Sequence, residues 1–164
     1  LVSRHAFRRA RHAVPARPMM RFLQIALIGF SAGALSVFVF HQGGFWIANE
    51  LGFARAQLYN WTPTKPLGVP LLVSAAFWGG LWGILFAFVV PRLPGFLSGV
   101  LGWILFAAVV VTAVNWLVVF PLKGLPPGNG WRMPGLVVLP LVYGLWGFGM
   151  WLIATVLRGG TRGR

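Results

Sequence analysis

The sequence predicts an all-α integral membrane protein with four transmembrane helices and both termini on the cytoplasmic side. Three observations carry this. Hydrophobic residues make up 58% of the 164-residue chain and charged residues 9%, where a soluble domain needs roughly 25% charged residues to face water. Four charge-free apolar runs each reach the ~20 residues that a helix needs to cross hydrocarbon. The Lys and Arg residues divide unevenly between the two sides that those runs define. The same composition excludes a water-soluble enzyme and a disordered chain, which would be poor in Leu, Val, Phe and Trp. With no Cys in the chain, disulfide, thiol-redox and cysteine-metal chemistry are excluded too.

The predicted spans are residues 22–40, 69–90, 96–120 and 135–157. Helices are the reading, because segments such as Ala107-Ala108-Val109-Val110-Val111 are apolar on every side, whereas a membrane β-strand alternates. Arg4, Arg8, Arg9, Arg11, Arg17 and Arg21 precede the first span, Arg92 lies between the second and third, and Arg158, Arg162 and Arg164 follow the fourth. The opposite side carries only Arg55, Lys65, Lys123 and Arg132. The positive-inside rule therefore places the ten-cation side in the cytoplasm. Residues 1–21 are Arg-rich and free of acids, and read as a disordered basic lead, with residues 158–164 as a basic tail. The first span reads as an uncleaved anchor. Trp46, Trp61 and Trp131 flank spans, where amphipathic rings prefer the headgroup layer. Six further Trp lie deeper, to pack between helices or against acyl chains.

Pro91 to Gly95 is so short a connection that the second and third spans form an antiparallel hairpin of neighbouring helices. In the first outer loop Ile47, Leu51, Ala54 and Leu58 recur at helical spacing. A short interfacial helix and a compact loop over the bundle mouth both fit. Glycines four apart, Gly29 and Gly33, Gly79 and Gly83, Gly95 and Gly99, each make a small face on which another backbone can approach closely. Gly80-Leu81-Trp82-Gly83 in the second span returns as Gly144-Leu145-Trp146-Gly147 in the fourth, as a parallel repeat of two hairpins would give.

The spans contain no Asp, Glu, Lys or Arg, the groups on which proton relays and ion-coupled carriers rely. Glu50 is the sole acid of the chain, so paired carboxylates and a Ser-His-Asp triad are excluded. No catalytic residue is expected. Asn115 is placed for a hydrogen bond between helices, worth about 0.6 kcal/mol. His41, Gln42 and Glu50 form a candidate polar outer cluster. It reads as helix capping at the interface, as a proton site, or as a site where His41 ligates haem iron or chlorophyll magnesium. Otherwise no cofactor and no metal is expected.

The segments Phe40-His41-Gln42-Gly43, Gly68-Val69-Pro70, Phe77-Trp78-Gly79-Gly80-Leu81-Trp82-Gly83 and Pro121-Leu122-Lys123-Gly124 resemble small uncharacterised four-span inner-membrane proteins of proteobacteria. The likeness covers residues 20–157 and implies a multi-pass protein of the bacterial inner membrane; it implies no activity. The functional expectation is a non-catalytic accessory subunit packed against a larger respiratory or photosynthetic membrane complex. The alternative is a small transporter or channel whose pore, lined by Ser, Thr and Asn115, forms by oligomerisation. Lipids and a membrane-protein partner or second copy are the expected contacts; nucleic acid is not.

Overall fold

A computed structural model describes the chain over residues 18–162, with side chains through residue 159. The lead expected over residues 1–17 and the last two residues of the tail lie outside the described residues. Four helices are long and apolar enough to span a membrane: α1, Pro18–Glu50; α2, Leu71–Arg92; α3, Val100–Leu122; and α4, Gly135–Arg162. A two-residue ribbon pairs β1, Pro63–Thr64, antiparallel with β2, Val69–Pro70, and the Thr64 hydroxyl donates to Val69 O at 2.8 Å. Neighbouring helices run antiparallel. The short α2–α3 turn, the start of α1 and the end of α4 share one end of the bundle, here the hairpin end; the two longer loops share the other, the loop end.

The helix boundaries depart from those of the apolar runs because a helix need not stop where hydrocarbon does. The first helix begins at Pro18, so residues 18–21 are helical rather than disordered, and it continues for 33 residues, about 50 Å of rise. No separate interfacial helix follows. The helical spacing expected over residues 45–58 holds only to Glu50, in direct continuation of α1. There the chain closes as a Schellman motif: Gly52 takes φ +74°, Phe53 N–H donates to Ala48 O and Gly52 N–H to Asn49 O, so the last carbonyls are satisfied and the helix stops. The third helix begins at Val100 rather than at residue 96. Gly95 (φ +56°) opens a tight 3₁₀ turn and Gly99 is extended, so both lie in the connection.

The closest backbone approach is between α1 and α2. A Cβ on Gly29 would stand 2.6 Å from Gly83 O and 3.0 Å from Ala87 Cβ. One on Gly33 would collide with Gly79 O, and one on Gly83 with Gly29 O. Without side chains there, dispersion and Cα–H···O contacts act at short range. By contrast nothing lies within 4 Å of a Cβ on Gly95, and Gly99 meets only Phe96 O at 3.9 Å, so this pair makes no helix contact. Its place is taken by Gly147, where a Cβ would sit 2.7 Å from Ala107 Cβ of α3. The two Gly-Leu-Trp-Gly segments thus do the same work, Gly83 against α1 and Gly147 against α3.

Polar clamps close the α1–α4 face. The buried Ser36 hydroxyl donates to Trp146 O at 2.8 Å, and Trp146 Nε1 donates to Gly33 O at 3.2 Å. Around them an aromatic core fills the bundle middle: the fully buried Phe86 meets Trp103, Phe106 and Trp146 at ring-centroid distances of 5.5, 4.8 and 6.0 Å. The α2–α3 hairpin expected from its short turn is present, yet these rings, together with Val90 against Gly102, join the pair mainly near the hairpin end. Outside, Leu27, Val109, Leu141 and Val156 are each more than 60% exposed, one from each of α1, α3 and α4 with a second from α4, and Trp78 on α2 is 59% exposed. Such an apolar surface faces lipid.

Candidate functional site

At the loop end α2 and α3 leave a space between them. An open cavity of about 520 Å³ occupies it, within the ~300–1,000 Å³ of small-molecule sites. Leu71, Leu72 and Ala75 of α2 form one wall and Phe120 of α3 another; the first residues of α4 and the loop after α1 complete it. Toward the hairpin end the next turn of α4 beyond Tyr143 carries Trp146, 2% exposed in the aromatic core. The floor is therefore a packed layer of rings, and the cavity does not continue through the bundle.

Polar side chains enter this apolar chamber from three helices. His41 comes from α1, Asn115 from α3 and Tyr143 from α4. Local backbone places two of them: His41 ends a π-helical turn, Val37–His41, and Asn115 lies four residues beyond another, Ala107–Val111. A π turn shifts the side chains beyond it relative to an α-helix, and such turns are frequent at functional sites. The imidazole packs edge-on against Phe45 at 5.0 Å and tilted against Tyr143 at 5.7 Å. Its Nδ1 is buried with no hydrogen-bond partner.

Asn115 makes no bond between helices, contrary to the sequence expectation. Its amide reaches only Val111 O one turn back on α3, at 3.5 Å, too long for a good hydrogen bond. The proposed outer cluster does not assemble either. Gln42 is spent on the loop, its Oε1 accepting from Tyr59 N–H at 2.9 Å, while the Tyr59 hydroxyl donates to Phe38 O at 2.9 Å. Glu50 is exposed and absent from the cavity lining. It follows His41 by nine residues on one continuous helix, roughly 13 Å of rise, so no proton-sharing pair forms. Asn49, which follows His41 and Gln42 in the same outer stretch, pins the loop by bonding Ala56 through both amide atoms at 2.8 and 2.9 Å. Tyr143 was legible only as a polar residue in a span; its position beside His41 came from the pairing of α1 with α4.

The cavity mouth is polar as well. Lys123 stands there, eight residues beyond Asn115 and about 12 Å higher along α3, with Gln57 and Asn60 bonded to each other at 3.0 Å. A second, smaller groove of about 190 Å³ between the end of α1 and α4 is lined by apolar side chains such as Ile47, Leu141 and Leu145. Among the described residues no three His, Cys, Asp or Glu converge to hold a metal ion.

The four helices, their lipid-facing surfaces and a cavity confined to one end define a four-span, all-α, multi-pass membrane protein. Comparison with protein-family models, with curated proteins and with solved structures finds no match to the chain. The functional reading therefore rests on the cavity's own geometry.

Proposed function

We propose that the chain is a non-catalytic protein of a bacterial inner membrane, with its hairpin end in the cytoplasm, that holds a small membrane-derived molecule in the loop-end cavity. One observation carries the reading: His41, Asn115 and Tyr143, from three helices, line a single cavity within the spans, and the Asn115 amide has no good hydrogen bond. Leaving such a group without a partner in an apolar setting costs about 1–3 kcal/mol, which an occupant offsets. The closed aromatic floor supports a pocket over a pore through one bundle.

An accessory role in a larger complex is compatible with such a pocket. Gly29, Gly33, Gly79 and Gly83 are spent on contacts within the chain and no longer argue for a partner. A metal tetrapyrrole ligated through His41 is a second reading, favoured by the absence of any hydrogen bond competing for that imidazole among the described residues. Native mass spectrometry of the full chain, purified from its own membrane in mild detergent, tests all three. A retained small-molecule mass that is lost in Asn115→Leu supports the pocket, and a visible absorption band identifies a tetrapyrrole. A stoichiometric protein partner supports the accessory role. A bare chain in both proteins would sink the binding reading.

A further inference from the structure

Resting on the reading of the cavity as a binding site, we propose that its occupant is an uncharged lipid with a flat, carbonyl-bearing headgroup, the chemistry of a membrane quinone. Its head lies among His41, Tyr143 and Asn115, and its hydrocarbon tail leaves between α2 and α3.

The hydrogen-bonding inventory selects the head. The amide of Asn115, the phenol of Tyr143 and the imidazole of His41 each offer a donor, and carbonyl oxygens on a compact ring present acceptors toward several sides at once. Charge selects against the alternatives. No Asp, Glu, Lys or Arg lies beside these three residues in the cavity lining; Lys123, its sole charged residue, stands at the mouth. A carboxylate or phosphate head at the floor would pay up to about 2.5 kcal/mol for its depth with no cation beside it, and a cationic head would find no carboxylate. Shape selects a ring: the imidazole, Phe45 and Tyr143 already form an aromatic cluster at 5.0 and 5.7 Å, a surface on which a flat head gains offset or edge-on contacts. The tail follows from the walls. Leu71, Ala75 and Phe120 are apolar and flank the space between α2 and α3, and Leu71 is 39% exposed.

The test uses the purified full chain in mild detergent, titrated with decyl-ubiquinone and, in parallel, with laurate as an anionic amphiphile. Trp fluorescence is the readout, since quinones quench it and Trp146 packs edge-on against the Tyr143 ring at 6.2 Å. The expected result is saturable quenching by the quinone, weakened at least about tenfold in Asn115→Leu and in Tyr143→Phe, the loss of one good hydrogen bond, and unchanged in Gly43→Ala. Tyr143→Phe removes a single oxygen and keeps the ring, so it decides the matter if Asn115→Leu misfolds. Linear quenching that is identical in wild type and variants reports partition into detergent and overturns the proposal. Laurate bound in preference to quinone overturns the headgroup class while the pocket stands. If neither probe binds and no native ligand mass is retained, the pocket reading falls as well.

Discussion

The seam between α1 and α2 and the gap between α2 and α3 share a helix but represent opposite uses of it. On the seam, Gly79 and Gly83 remove side chains so completely that backbone meets backbone. At the gap, Leu71, Leu72 and Ala75 of the same helix border empty space. Polar groups follow the same division. Near the seam, Ser36 and Trp146 have their hydrogen bonds made; around the gap, His41 and Asn115 do not. In a bilayer, helix association draws on close packing and on satisfied polar groups. The seam supplies both and holds the bundle; the gap gives up both, which is what a binding site requires of a fold that is stable without it.

This contrast can be broken most severely at the seam. Replacing Gly83 by Leu forces a branched side chain into the Gly29 backbone. The expected loss exceeds about 3 kcal/mol, beyond ordinary overpacking because the neighbour is backbone. Size-exclusion chromatography and thermal melting in detergent read it as loss of the compact bundle. Gly95→Ala, with open space around its Cβ but a left-handed φ, loses about 1 kcal/mol, so equal damage at the two sites would refute the assignment of the seam.

A middle-sized effect tests the clamp. Ser36→Ala leaves Trp146 O without its donor in the core, and a loss of about 0.6–1.7 kcal/mol is expected in the melting of the detergent-solubilised bundle. No change would mean that the Trp146 Nε1–Gly33 O bond and side-chain packing join α1 to α4 without the Ser36 hydroxyl. The smallest effect has the opposite sign. Asn115→Leu removes an amide with no satisfactory partner, so in the ligand-free protein stability should hold or rise by up to about 1 kcal/mol. A clear destabilisation would show that Asn115 is structural after all.

Residue types and spacing made part of this legible. Gly29, Gly33, Gly79 and Gly83 were visible as small faces because four-residue spacing puts them on one side of a helix. The same spacing singled out Gly95 and Gly99, which fail because Pro94 and the positive φ of Gly95 hold them in a turn. Gly147 was visible in the repeated Gly-Leu-Trp-Gly segment, but not its partner. His41 and Asn115 stood out as polar residues near or within spans. That they share one cavity with Tyr143 was not legible, since these residues belong to three helices and no local pattern relates them. The π turns that help to aim His41 and Asn115 carry no signature in the residues themselves.

What the sequence determined by itself was the number of spans, their helical nature and the uneven distribution of cations between the two ends. These are one-dimensional demands: hydrocarbon thickness sets a run length, unsatisfied backbone forbids anything but a helix or closed barrel, and charges stay outside. Tertiary structure alone decided which faces meet, that the α1–α2 seam is tight while α2 and α3 part at the loop end, and that His41, Asn115 and Tyr143 share one cavity there. Lipid is as apolar as the helix surfaces it covers, so hydrophobicity does not choose between faces. Shape and hydrogen bonding choose, and both exist only once the helices stand side by side.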